Sequence, residues 1–272
     1  MKQPKSPQRT SKVRPVSVAQ MRVPPALVTQ RPFNKSQAEA YAADFDLDKF
    51  GIPIVNHRDA IYWILDGQHR IAAWKMFIAP GDPGQLDCEV YENLTDAEMA
   101  DIFLGRDCRR AIAPFVKFHI ACTAERKRET DIRRVVESNH LKIGREHEEG
   151  CISAVGALGK VYDNCGPVVL GQGLRTIRDG FASDAVAFDG RVIEALGLLF
   201  NRYNGRTNEK DLAAALAKTP QGVLGVLRRA ETQRDRTGNS KVQCVVATIV
   251  EIHNKHVPRN RRLPSWWKSN EA

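Results

Sequence analysis

Asp66-Gly67-Gln68-His69-Arg70 places a carboxylate, a glycine, an amide, an imidazole and a guanidinium in five consecutive positions. An apolar run, Ile61-Tyr62-Trp63-Ile64-Leu65, precedes them, and Ile71-Ala72-Ala73-Trp74 follows. This order predicts a strand that stops at a glycine and turns straight into a helix. The first turn of such a helix has backbone N–H groups without intrahelical partners, and these attract anions. Gly67 permits positive φ or close approach of the backbone. Arg70 in the first helical turn can fork onto phosphate oxygens, and His69 adds a donor or a charge. The implied chemistry is phosphate handling at Gly67, Gln68, His69 and Arg70, on a nucleotide or a nucleic-acid backbone. A second reading stays open: a buried strand–helix corner in which Arg70 pairs with Asp66.

The elements that must position these residues follow from pattern and punctuation. Val13 to Val18 alternates and predicts a first strand, with Pro15 confining it to an edge or a strand start. Val28 to Pro32 is short and extended, because the residue before proline avoids the helical region. Asn34 or Ser36 is a cap for a helix to about Phe45. Phe50 to Val55 predicts a strand, His57-Arg58-Asp59 a turn, and Ala60 to Leu65 an antiparallel return. A helix from about Gln68 to Phe77, a Pro80-Gly81-Asp82-Pro83-Gly84 loop and a strand over Leu86 to Tyr91 come next. Thr95-Asp96-Ala97-Glu98 is a capping box for a helix to about Leu104. Ala113 to Asn139 reads as one long helix, its charges either a salt-bridged solvated face or a phosphate-tracking one. Beyond residue 146 the pattern is helical, over about 149–163, 173–181, 189–203, 208–217, 220–234 and 240–254. Pro220 suits the first turn of the fifth, and Val242, Val245, Val246, Ile249, Ile252 and His253 form a core-facing stripe in the last.

The net charge of +9 on 272 residues is unevenly placed. Residues 1–35 carry eight Lys and Arg and no acid, and residues 253–272 carry a net +4. The body between is slightly acidic. Basic ends suit phosphate backbones, and Lys12, Arg14, Arg259, Arg261 and Arg262 are the candidate nucleic-acid contacts; solubility alone is the other reading. No apolar run reaches the 18 residues of a membrane helix, and the basic start lacks the apolar stretch of a secretory signal. Six scattered cysteines without a C-x-x-C pair suit reduced, mostly buried thiols in a cytoplasm better than a zinc site. The expected compartment is therefore the cytoplasm.

Other residues invite chemistry. His57, Asp59, Asp66 and His69 would build a metal-dependent phosphodiesterase if they converged, although no fixed ligand spacing links them. His119 and His140 read as surface or cap residues. Gly171-Gln172-Gly173 lacks the Lys-Ser/Thr of a phosphate loop and reads as a turn. Trp266-Trp267 would either stack on bases or dock the tail on the body.

The segment Asp66-Gly67-Gln68-His69-Arg70-Ile71-Ala72-Ala73 resembles the box that members of the ParB/sulfiredoxin superfamily carry at a strand-to-helix turn. Thr29-Gln30-Arg31-Pro32 resembles the extended Gln-Arg segment upstream, and Gly51-Ile52-Pro53-Ile54-Val55 the strand before the box. Leu94 to Leu104 resembles the short helix after it. The resemblance covers about residues 13–110. It implies a small α/β fold whose box binds nucleotide phosphates: CTP in chromosome-partitioning ParB proteins, ATP in sulfiredoxin. Other relatives are nucleases or kinases of small molecules. The sulfiredoxin cysteine would fall at Gln68, which excludes that chemistry. A second arginine of the CTP-using box would fall at His69. The layout also looks like ParB-like proteins of phages and mobile elements, which implies the cytoplasm of a bacterium or a phage-infected host.

The expected fold is α+β: a ParB/sulfiredoxin-like α/β N-terminal domain followed by an all-helical C-terminal domain. Expected boundaries are a disordered basic tail at 1–12, the first domain at 13–110, the helical domain at 111–255 and a basic tail at 256–272. The expected function is a ParB-like nucleic-acid-associated protein that binds a nucleotide or DNA phosphate at Gly67, Gln68, His69 and Arg70, aided by Arg31 and Gln30. DNA is the expected partner, with a homodimer through the helical domain and no membrane. A nucleoside triphosphate and magnesium are the candidate cofactors, and no resident metal site is assigned. One alternative is a metal-dependent nuclease or nucleotide hydrolase with Asp66 and His69 as catalytic residues. Another is a non-catalytic interaction protein.

Overall fold

The hairpin before the glycine turn lies inside a mixed five-stranded sheet. The computed structural model describes residues 9–46, 50–78, 81, 84–106, 112–145, 150–181, 184 and 186–267. Residues 1–8 of the expected tail, Pro80, Asp82 and Pro83 of the expected loop, and residues 268–272 lie outside them. The architecture is α+β, and the chain divides into two units, Met1–Arg126 and Lys127–Ala272. No helix among the described residues is long and apolar enough to cross a membrane.

In the first unit the strands are β1 (Lys12–Ser17), β2 (Met21–Arg22), β3 (Ile54–Arg58), β4 (Ile61–Asp66) and β5 (Gln85–Glu92). Their order is β1-β5-β3-β4-β2. β1 pairs antiparallel with β5, β3 parallel with β5, β3 antiparallel with β4, and β2 parallel with β4. Pro15 therefore sits on an edge strand, where a missing N–H removes no ladder bond. At the other edge the Arg22 guanidinium donates to the Ala19 and Met21 carbonyls, and Lys75 Nζ also donates to Met21. The hairpin turn is Asp59-Ala60 rather than His57-Arg58-Asp59, with φ of 56° and 59°. Two left-handed residues match the twist of the flanking strands, so β3 extends to Arg58.

Alternate residues of β4 feed two cores. Ile64 joins Val16, Val18, Met21, Val55, Ile71, Cys88 and Val90 on one face. Leu65 joins Ile54, Tyr91, Leu94 and Met99 on the other. Helices α1 (Lys35–Ala43), α2 (Gln68–Ala73), α3 (Asp96–Arg106) and α4 (Pro114–Thr123) belong to this unit. Asn34 caps α1 by accepting from the Gln37 N–H. Thr95 and Glu98 form the reciprocal box at α3: Thr95 N–H donates to Glu98 Oε2 at 2.9 Å and Glu98 N–H to Thr95 Oγ1 at 3.3 Å. Burial pushes the Cys88 thiol up to about 12, which makes it inert.

The expected single helix over 113–139 is two helices, α4 and α5 (Lys127–Ser138), because Glu125 turns left-handed at φ 53°. The arginines there are spent on ion pairs rather than offered to phosphates. Arg126 pairs with Asp101, Arg128 with Asp163 and Glu129, and Arg134 with Asp131.

The second unit continues with α6 (Val155–Gly180), α7 (Gly190–Arg202), α8 (Glu209–Ala217), α9 (Gly222–Thr237) and α10 (Lys241–His256). It is not purely helical: β6 (Lys142–Ile143) and β7 (Cys151–Ile152) form a short parallel pair. α6 joins two expected helices across a kink at Gly166, φ 83°, forced by Pro167, which lacks the N–H and excludes the helical region before it. Gly171-Gln172-Gly173 is helical, not a turn. A Cβ at Gly173 would meet Leu196 Cβ on α7 at 3.5 Å, an ordinary van der Waals contact, so the helix faces α7 there. Pro220 precedes α9 rather than entering it, because Gln221 takes a left-handed φ of 64° at the cap. α8 starts at Asn208, whose side chain accepts from Lys210 and Asp211 N–H groups. The chain after α10 docks on its own unit. Asn254 exchanges two 2.8 Å bonds with Leu263, Tyr203 OH donates to the Pro264 carbonyl at 2.8 Å, and Arg202 lies 4.5 Å over the Trp266 ring.

Candidate functional site

Gly67 ends β4 with φ 95° and ψ 14° and caps α2, which continues as a π-type turn over Trp74–Ile78. The Ile71 N–H bonds the Gly67 carbonyl at 2.9 Å. The N–H groups before it in the first turn have no carbonyl inside the helix.

Two box side chains point inward, onto the segment before α1. Gln68 is 3% exposed and its Nε2 donates to the Arg31 carbonyl at 3.0 Å, while its Oε1 is buried without a partner. His69 is 4% exposed, stacks on Phe33 with ring centroids 5.4 Å apart, and its Nε2 accepts from the Asn34 N–H at 3.1 Å. Gln30, also buried, donates its amide to the Ile64 carbonyl at 3.0 Å and to the Leu65 carbonyl. Gln30, Arg31, Gln68 and His69 thus meet at one corner. Gln30, Gln68 and His69 are tied by hydrogen bonds that set the corner's shape.

Arg70 points the other way. Its guanidinium pairs with Asp66 at 3.1 Å, donates to the Phe50 carbonyl and lies 5.8 Å from the Phe50 ring centroid. It crosses two left-handed glycines: a Cβ would come within 3.2 Å of it at Gly67 and 3.1 Å at Gly51. It also lines a cleft of about 270 Å³ with Tyr41, Asp44, Phe45, Asp46, Phe50 and Ala73. Phe45, Phe50 and Trp74 pack against one another with inclined rings, Phe50 and Trp74 edge to face, with centroids 5.8–5.9 Å apart. The cleft therefore offers one guanidinium, an aromatic wall and two carboxylates. Residue order does not show it, because its lining comes from α1, the segment after it and α2.

The metal cluster does not form. Among the described residues no three His, Cys, Asp or Glu side chains come together. His57 and Asp59 belong to the hairpin-turn end of β4, whereas Asp66 and His69 lie at its other end. His57 bonds Glu92 at 2.9 Å and stacks on Tyr62.

The basic candidates lie elsewhere. Lys12 and Arg14 are exposed on β1, and Arg14 pairs with Glu92. Arg9, expected in a disordered tail, pairs with Asp101 at 3.1 Å. Arg259, Arg261 and Arg262 are exposed after α10, and Arg261 pairs with Asp211 at 3.0 Å.

Among solved structures, the chain is similar to the pNOB8-like ParB N-domain, with a TM-score of 0.38 and 13% identity over 96% of this chain and 96% of that one. No curated protein matches it. A family profile described as "Family of unknown function (DUF6551)" matches residues 24–264, and the chain belongs to that family.

Proposed function

We propose that the first unit is a ParB-like nucleotide-binding module of a nucleic-acid-associated protein, with its ligand in the cleft beside Arg70. The observation that carries this reading is the composition of that cleft, where one guanidinium shares the space with the rings of Tyr41, Phe45 and Phe50. A nucleotide matches both parts: its base stacks on aromatic rings, and its phosphate takes the guanidinium. Asp44 and Asp46 on the same rim suit ribose hydroxyls, or a magnesium ion carried in by a triphosphate. The resemblance of Asp66 to Ala73 to the superfamily box supports the same reading. Lys12, Arg14, Arg259, Arg261 and Arg262 would add phosphate contacts to DNA. One observation favours a second reading, a corner that is structural only: Arg70 is already held by Asp66 and the Phe50 carbonyl.

A thermal-shift panel of nucleoside triphosphates, with and without magnesium, separates the two. A nucleotide at 100 times its Kd is expected to add about 2.7 kcal/mol to the wild-type chain. Arg70→Ala and Tyr41→Ala are expected to abolish or weaken that shift while still melting cooperatively. No shift with any nucleotide would leave the box as a structural corner. Divalent-dependent turnover of a triphosphate or plasmid DNA, lost in Asp66→Ala and His69→Ala variants that fold, would instead favour the hydrolase or nuclease.

A further inference from the structure

A groove of about 440 Å³ runs between α9 and α10 in the second unit. On α9 it is lined by Arg229, Gln233 and Arg236, which follow one another at helical spacing and so share one face. On α10 Thr248, Glu251 and Lys255 do the same. Gln233 ties the floor together, donating to Glu251 Oε1 at 3.1 Å and accepting from Thr248 Oγ1 at 3.3 Å. The three cations differ from the arginines of α5: Arg229, Arg236 and Lys255 are exposed and hold no ion pair among the described residues. The lining has one carboxylate, Glu251, and Gln233 already engages it. The surroundings have the same sign. Residues 222–267 carry nine Lys and Arg against three Asp and Glu.

We propose that this groove binds the phosphodiester backbone of a nucleic acid, with Arg229, Arg236 and Lys255 as its phosphate contacts. Unpaired cations along a groove hold a high local positive potential, which draws a polyanion rather than a neutral ligand. Arg229 and Arg236 are two helical turns apart, about 10.5 Å along the axis. That matches about three steps of the 3.4 Å phosphate rise on one strand of duplex DNA. The contacts carry no base information, so the site adds affinity and not sequence choice. It is separate from the cleft at Arg70, and either can fail without the other.

The test is fluorescence anisotropy on the full chain, with labelled duplex DNA, single-stranded DNA and single-stranded RNA of equal length as probes. Wild type is compared with Arg229→Gln/Arg236→Gln/Lys255→Gln and with Glu251→Gln. The triple variant is expected to bind at least about tenfold more weakly, with a log K against log salt slope shallower by about 2.7 for duplex DNA, from about 0.9 per phosphate. Glu251→Gln is expected to bind more tightly. The three probes identify which backbone the groove prefers. An unchanged affinity and slope in a folded triple variant would overturn the proposal, as would a wild-type chain that binds none of the probes.

Discussion

The Nε2 atom of His69 accepts a hydrogen bond from the backbone N–H of Asn34, 3.1 Å away, at the residue that caps α1. The imidazole thereby joins the first turn of α2 to the start of α1, and its proton resides on Nδ1. Replacing His69 with Ala removes the Phe33 stack and leaves a partly buried N–H without its acceptor. The expected loss is about 1–3 kcal/mol, read by urea denaturation. A double-mutant cycle with Phe33→Ala is expected to show coupling, since both act on one contact. Strict additivity would show that the stack contributes nothing.

Gly67 is held at φ 95°, with Arg70 close over the place where a side chain would begin. Gly67→Ala is expected to cost about 1–2 kcal/mol in backbone conformation, and more where Arg70 is displaced from Asp66. Gly67→Asn is expected to cost less, because asparagine tolerates the left-handed region. Equal stability of the alanine variant in thermal melts would contradict the strain.

Gly197 on α7 faces Val161 on α6 so closely that an added Cβ would lie 2.6 Å from Val161 Cγ1. Gly197→Ala is expected to destabilise the second unit by about 1–3 kcal/mol through overpacking. Val161→Ala in the same chain should recover part of that loss, although it is destabilising alone. Absence of this rescue in denaturant melts would place the cost elsewhere.

His253 is buried on α10, and its desolvation holds its pKa below the ordinary 6.5, against a backbone hydrogen bond with Arg261 that pulls the other way. Between the folded and unfolded pKa values the unfolded chain binds more protons. The stabilisation from a neutral His253 is therefore complete above pH 6.5 and falls away as the pH drops from there toward the folded value. His253→Gln is expected to flatten the stability profile over this acidic window. A wild-type profile that stays flat as the pH falls below 6.5 would remove the effect.

Local signals in the chain were legible where one residue type dictates one geometry. Asn34 caps α1 through its own side chain, and Thr95 and Glu98 form the box that opens α3. Gly67 and the alternation of Ile64 and Leu65 mark the strand-to-helix corner and its two buried faces. Misreadings arose where a residue has two uses. Glycines at 171 and 173 look like a turn, yet both lie inside α6, where the surrounding apolar residues hold the helix. Glu125 breaks a helix with no proline or glycine to mark it. The aromatic cleft joins residues from three segments, so no window of sequence contains it. The cations at 229, 236 and 255 resemble a solvated face until two helices bring them to one groove.

The rim of the five-stranded sheet also limits how the chain meets its own kind. One border carries Pro15 among the charges of Lys12 and Arg14, and the other is two residues long with its Met21 carbonyl taken by Arg22 and Lys75. Neither border gives a partly folded neighbour a continuous ladder to extend. Fibre-like growth through this sheet is disfavoured during synthesis, when chains are crowded and exposed. Pairing of two copies by strand addition to this sheet is disfavoured in the same way.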